Sequence, residues 1–215
     1  LGIETSCDDT CVAVIEADNK KQPHFKILSN VVSSQVKIHK KYGGVFPSLA
    51  KREHQKNLIP VLMTTLKESR ALKISKPRFL ISKQILNSKF QILNSILERE
   101  PQLLKQTLPF LRKYQKPKFD LIAVTVGPGL EPCLWVGVNF ARALAFWWDL
   151  PIISANHIEA HILANWLLPI RKEIRNPKSE IRNIFPAICL IVSGGHTQLI
   201  LMEDFGKYKI LGETR

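Results

Sequence analysis

The chain has 215 residues, 45% of them hydrophobic, which is enough for one large domain or two small ones with a real core. No run of 18 or more apolar residues occurs, so no membrane-spanning helix is expected, and the first ten residues lack the basic and apolar stretches of a signal peptide. The net charge of +13 raises the question of a nucleic-acid partner, but residues 67–118 (13 Lys/Arg, 3 Asp/Glu) and 170–184 (5 Lys/Arg, 2 Asp/Glu) carry the whole excess, so it belongs to two local segments.

In chain order, residues 2–6 and 11–17 read as two strands around a tight polar turn, and residues 25–35 as a third strand. Leu1 opens in mid-strand without an initiator Met, which suggests a chain trimmed at its front. Residues 48–66 show helical spacing at Leu49, Leu58, Leu62 and Leu66, with Pro60 as an irregularity. The segment 67–118 contains QILNSKF followed by QILNS, and 170–184 contains EIRNPKS followed by EIRN. Two copies are too few for a coiled coil, which needs three or four heptads. Repetition that includes the exposed positions reads as low-complexity insertion, partly helical around 84–115 and broken by Pro77, Pro101, Pro109 and Pro117.

Beyond the first insertion, residues 120–126 form a continuous apolar run, as a strand buried on both faces would. A Gly127-Pro128-Gly129 turn, a helix over 134–148, a strand over 151–156 and a helix over 157–168 follow. Residues 186–202 read as two strands joined at Ser193–Thr197, and 208–214 start another. The chain is α/β, and its last unit begins as its first one does. The cysteines Cys7, Cys11, Cys133 and Cys189 form no CxxC pair, as expected of reduced thiols in a cytosolic protein.

His157 and His161 lie four residues apart on the 157–168 helix, on one face and one turn apart, a spacing that suits a single zinc or iron ion. The alternative is two helical histidines with no shared role. A zinc peptidase of the HExxH type is excluded by geometry, because Glu159 stands two residues after His157, about 200° around the helix. Ser193-Gly194-Gly195-His196-Thr197 offers bare N–H groups and hydroxyls for phosphate or carboxylate oxygens, or is an ordinary hairpin turn. Glu4 to Thr10 gathers hydroxyls and carboxylates at the first turn, and Gly127-Pro128-Gly129 sits where a helix amino terminus favours an anion.

GIETSCDDT, residues 33–54, VTVGPGL, NHIEAH, IVSGGHTQLI and LGET occur in an order that resembles the tRNA N(6)-adenosine threonylcarbamoyltransferase family, formerly misnamed a sialoglycoprotein endopeptidase. The resemblance covers residues 1–66, 119–169 and 185–215. It implies an actin-like ATPase (ASKHA) fold: an RNase-H-like first lobe over 1–169, insertions at 67–118 and 170–184, and the truncated start of a second lobe over 185–215. It implies transfer of threonylcarbamoyl from threonylcarbamoyl-AMP to N(6) of adenosine 37 in tRNAs reading ANN codons. By that match His157 and His161 hold one divalent ion, iron first and zinc second. Ile191, Val192, Ser193, Gly194 and Gly195 line the adenylate site, and Asp9 is the acidic group near the reacting centre. Partner proteins of the threonylcarbamoyladenosine complex (TsaB-like and TsaE-like) and a cytoplasmic location are also implied. Ser48 and Ala160 depart from the family's common Glu and Gly. The family continues beyond the LGET motif with a third metal ligand, an Asp, so the chain is expected to be an incomplete copy. A non-catalytic scaffold lobe is the alternative, and an actin-like sugar or acid kinase is disfavoured by the histidine pair and the SGGHTQL turn.

Overall fold

The computed structural model describes residues 1–18, 25–75, 83–167, 185–193 and 197–214. They form two compact units, Leu1–His157 and Ile158–Arg215. The second insertion, 170–184, lies outside the described residues.

The first unit is built on a five-stranded sheet of order β3-β2-β1-β4-β5. The strands are β1 (Gly2–Glu4), β2 (Asp9–Ala17), β3 (Phe25–Ser34), β4 (Ile122–Gly127) and β5 (Ile152–Asn156). β1, β2 and β3 pair antiparallel, while β4 runs parallel to β1 and β5 parallel to β4. This mixed order is the one expected of an RNase-H-like lobe. Period-two alternation sets the faces: Thr10, Val12 and Val14 of β2 are buried, with Cys11 and Ala13 between them only partly so. After the one-turn helix α1 (Val36–His39), the long helix α2 (Pro47–Glu68) packs on β2 and β3, and α5 (Glu131–Trp148) packs on β4. Pro47 and Pro132 occupy helix starts, where the missing N–H costs nothing. Pro60 is accommodated inside α2 without ending it.

The basic stretch 67–118 is partly helical, as its sequence suggested: it contains α3 (Lys83–Ile96) and α4 (Pro101–Lys113), and these helices are part of the main core. Phe90, Leu93, Leu97, Leu103, Phe110 and Leu111 are buried there beside Phe140, Leu144 and Trp148 of α5. Seven residues are close to two helical turns, so the repeat sets Leu86 and Leu93 on one stripe and extends an amphipathic face. The helical stretch is interrupted before Pro101, which opens α4, while Pro109 lies within α4 without breaking it. In β4 the adjacent Val124 and Thr125, which point to opposite faces, are both buried, as the apolar run suggested; Val126 is 49% exposed where the register shifts between Thr125 and Gly127, and Ile152 and Ile153 of the edge strand β5 are exposed to a similar degree.

The second unit holds most of α6 (His157–Leu163) and an antiparallel meander, β6 (Ala187–Val192), β7 (Thr197–Asp204) and β8 (Lys207–Thr214). It repeats the antiparallel opening of the first unit, as the sequence order suggested. Ile162, Ile200 and Met202 form its small core, with Phe185 and Phe205 in edge contact at 5.0 Å. Alternate residues of β6, Ile188, Leu190 and Val192, are exposed.

Candidate functional site

The polar turn after β1 is locked onto the start of α5. Thr5 donates from its hydroxyl to the Cys133 carbonyl at 2.9 Å, and the Leu130 N–H donates to the Ser6 carbonyl at 2.7 Å. This approach explains two glycines. A Cβ at Gly129 would lie 2.6 Å from the Ser6 carbonyl oxygen, and one at Gly137 would run into the Thr5 hydroxyl. The Gly127-Pro128-Gly129 motif thus lets the β4–α5 turn and the first turn touch.

At the end of β1, Glu4 accepts the Ser6 backbone N–H with one carboxylate oxygen. Its other oxygen lies 3.2 Å from His157 Nδ1, and the Ser6 hydroxyl is 3.1 Å from the same nitrogen. Burial alone would raise the Glu4 pKa, but hydrogen bonds from His157, Ser6 and Thr125 hold its carboxyl down at about 2. The hydrogen bond to Glu4 raises the His157 pKa against the effect of burial. With a carboxylate as acceptor, Nδ1 carries a proton, and the contact orients the ring.

A buried polar chain supports the turn from below. His54, fully buried in α2, donates from Nε2 to the Cys7 carbonyl at 3.0 Å, and its Nδ1 accepts from the Thr10 hydroxyl at 2.8 Å. Gln35 stands beside it, its Nε2 3.4 Å from that Nδ1, and its Oε1 accepts from His39 Nε2 at 3.0 Å. The His39 Nδ1 in turn accepts the Phe46 backbone N–H at 3.3 Å. Each ring has one donor and one acceptor nitrogen, so each tautomer is fixed. Burial lowers the His54 pKa, which keeps the ring neutral.

Asp9 opens β2 opposite Ser34, and its Oδ1 is buried without a hydrogen-bond partner among the described residues. The thiols beside it are unsuited to act as thiolates: burial, then Asp8, pushes Cys7 up to about 11, and burial, then Asp9 and Glu4, pushes Cys11 up to about 12. All four cysteines are free.

His157 and His161 both lie on α6, at its first and fifth residues. Glu159 accepts the Tyr208 hydroxyl at 2.9 Å and so ties the helix to β8. That bond pins Glu159 to the meander, in keeping with the sequence argument against HExxH chemistry. Burial and Glu159 push Tyr208 up to about 12. Among the described residues no group of three or more His, Cys, Asp or Glu is placed to hold a metal ion. Ile191 is half-buried at the end of β6, whereas Val192 and Ser193 are exposed, and Gly194 and Gly195 lie outside the described residues. Val192 pairs with Thr197 at the end of the antiparallel β6–β7 ladder.

Sequence reasoning passed over Glu4, Ser6, Gln35, His39 and His54 as individuals. Their signal is polarity out of place: Thr10, Gln35, His39 and His54 are polar residues at buried positions of otherwise regular elements.

A mixed sheet of this order, with three antiparallel strands followed by two parallel ones and helices packed on it, is that of an α/β protein of the RNase-H-like class. The chain belongs to the family described as TsaD, tRNA N6-adenosine threonylcarbamoyltransferase, whose family model matches residues 26–76 and 102–215. It is 40% identical over 215 residues to the protein of that name from Thermomicrobium roseum and 39% identical over 214 residues to that from Dictyoglomus turgidum. The Bacillus anthracis protein of the same name is 36% identical. These matches take in 100% of this chain but only 44%, 46% and 45% of the relatives, so the chain spans a little under half their length. The solved structure of YeaZ from Pseudomonas aeruginosa aligns with 99% of this chain and 64% of its own, at a TM-score of 0.41 and 14% identity, a likeness too slight to argue from. The family match omits 77–101, which contain the repeat and α3. No described helix is long and apolar enough to cross a membrane.

Proposed function

We propose that the protein to which this chain belongs transfers a threonylcarbamoyl group from threonylcarbamoyl-AMP to N(6) of adenosine 37 in tRNAs reading ANN codons. Family membership over more than three quarters of the chain carries this reading. In the transfer, the N(6)–carbon bond forms, the bond from the carbamoyl carbon to the adenylate oxygen breaks, and the amine loses a proton. Asp9, the carboxylate that opens β2 beside the first turn, is the proposed acceptor of that proton. Ile191, Val192, Ser193, Gly194 and Gly195 are the proposed adenylate contacts. We assign residues 1–169 to the first lobe, with insertions at 67–118 and 170–184, and 185–215 to the start of the second.

His157 and His161 are the proposed ligands of one divalent ion, iron before zinc. The donor chemistry fits in part: the carboxylate of Glu4 fixes the His157 tautomer as it does for metal-bound histidines, while a third donor is not found among the described residues. When bound, such an ion supplies Lewis-acid polarisation of a phosphoryl or carbamoyl oxygen. The proposed partners are tRNA, threonylcarbamoyl-AMP and TsaB-like and TsaE-like proteins, in the cytoplasm.

The test is nucleoside analysis of tRNA incubated with the whole protein, its partners and threonylcarbamoyl-AMP. Threonylcarbamoyladenosine is expected with the parent, and neither product nor metal uptake with His157→Ala plus His161→Ala. Full modification by the double variant would remove the metal role, and no product from the parent would remove the transferase reading.

A further inference from the structure

Between Ser34 and Arg52 the chain has five Lys or Arg and no Asp or Glu. Lys37, Lys40 and Lys41 are all exposed. In the same stretch Tyr42 and Phe46 stack on each other with ring centroids 5.9 Å apart and planes 27° apart, yet remain 63% and 53% exposed. Two large rings that pack together without being buried leave flat apolar faces in water, beside lysines that attract anions.

The loop that carries them is anchored by hydrogen bonds at both ends. His39 is buried, anchored by Gln35, and accepts the Phe46 N–H. The Gly43 N–H donates to the Lys40 carbonyl at 3.4 Å, and α2 begins at Pro47 directly after Phe46. The rings are therefore held in place before any ligand arrives, which lowers the ordering cost of binding.

We propose that the Tyr42–Phe46 stack with Lys37, Lys40 and Lys41 is a docking platform for unpaired nucleotides of an RNA. Every base has a π-face, so an exposed aromatic pair binds unstacked bases with little regard to sequence, while lysines neutralise the phosphates between them. A paired helix hides its base faces and fits such a platform poorly. The choice of RNA rests on the tRNA-modifying reading above, and the platform adds to it where a single-stranded loop of that substrate meets the protein. The polar chain from Phe46 through His39, Gln35 and His54 to the Cys7 carbonyl links the platform's loop to the first turn.

The test is fluorescence anisotropy of a short labelled single-stranded RNA, and of its duplex, titrated with the 215-residue chain at several salt concentrations. Tyr42→Ala plus Phe46→Ala is expected to weaken single-strand binding by about 5- to 100-fold, the range for loss of base stacking. Lys37→Gln, Lys40→Gln and Lys41→Gln together are expected to reduce the slope of log affinity against log salt by about 2, at roughly 0.7 per phosphate contact. Tyr42→Phe should bind as the parent does. Tyr42→Ala alone serves if the double variant melts early. Unchanged affinity in the alanine variants, or no single-strand binding by the parent, would overturn the platform. So would unchanged RNA affinity combined with lost association between protein chains, which would mark a protein interface instead. None of these results bears on transfer itself, which the tRNA nucleoside analysis decides separately.

Discussion

The Glu4 carboxylate and His157 Nδ1 meet at 3.2 Å although 153 residues separate them in sequence. The contact joins the end of β1 to the first residue of α6. It fixes the ring orientation of the histidine proposed as a metal ligand, and the Ser6 hydroxyl at 3.1 Å reinforces it. The low pKa of Glu4 keeps the acceptor charged at any physiological pH.

Glu4→Gln removes the charge but keeps the size and one acceptor oxygen. Outer-shell partners of this kind typically contribute about 10- to 100-fold in metal affinity, so a loss in that range is expected by chelator competition. Nitrogen NMR of the metal-free protein should show the His157 ring moving from a single tautomer toward a mixture. A single Nδ1–H tautomer persisting in the variant would show that the charge of Glu4 is not what sets the ring.

No spacing rule reveals a pair like this. GIETS is legible as a strand followed by a polar turn, but which carboxylate faces which histidine is set by the parallel pairing of β1 with β4 and of β4 with β5. The strands themselves are legible because apolar alternation has a physical cause: Thr10, Val12 and Val14 face the helices. Helix α3 is legible as a helical stretch, but its place in the core is not, because the repeat copies exposed positions along with buried ones. Its Leu93 is buried while the neighbouring Ile92 is 44% exposed, a distinction that depends on α5 lying across it. The apolar run at 120–126 is legible as a buried strand, whereas the exposure of Val126 is not, since it falls at the register shift between Thr125 and Gly127.

Leu93 tests the packing of the repeat segment. It is fully buried, so Leu93→Ala is expected to cost about 2–5 kcal/mol in denaturant unfolding. Ile92→Ala on the exposed side of the same helix should cost far less. Equal, small effects at both positions would mean that α3 does not contribute to the core.

Gly129 tests the contact between the first turn and the start of α5. An added Cβ would meet the Ser6 carbonyl oxygen at 2.6 Å and the Ser6 Cβ at 2.7 Å, and neither is a flexible chain end. Gly129→Ala is expected to destabilise by about 1–3 kcal/mol and to disturb Ser6, hence the His157 contact. Gly44→Ala, where an added Cβ meets nothing within 4 Å, is the control. A thermal melt of Gly129→Ala that matches the control would show that the turn yields freely.

His54 gives the fold a pH dependence whose sign follows from its burial. Desolvation lowers its folded pKa below the ordinary 6.5, while the Cys7 carbonyl, which accepts its Nε2 proton, acts in the opposite direction. The unfolded chain therefore binds this proton more readily than the folded one, and stability is complete above pH 6.5 and falls as the pH drops from there toward the folded pKa. The limiting slope for one proton is about 1.4 kcal/mol per pH unit. Denaturant unfolding of the parent across this range should show a steeper fall than His54→Gln, which removes the titrating ring. The variant should be less stable at neutral pH, having lost the bonds to Thr10 and Cys7, yet lose less on acidification. Parallel pH profiles for parent and variant would mean that His54 titrates alike in the folded and unfolded states, and that the buried chain from Phe46 to Cys7 does not hold the ring neutral.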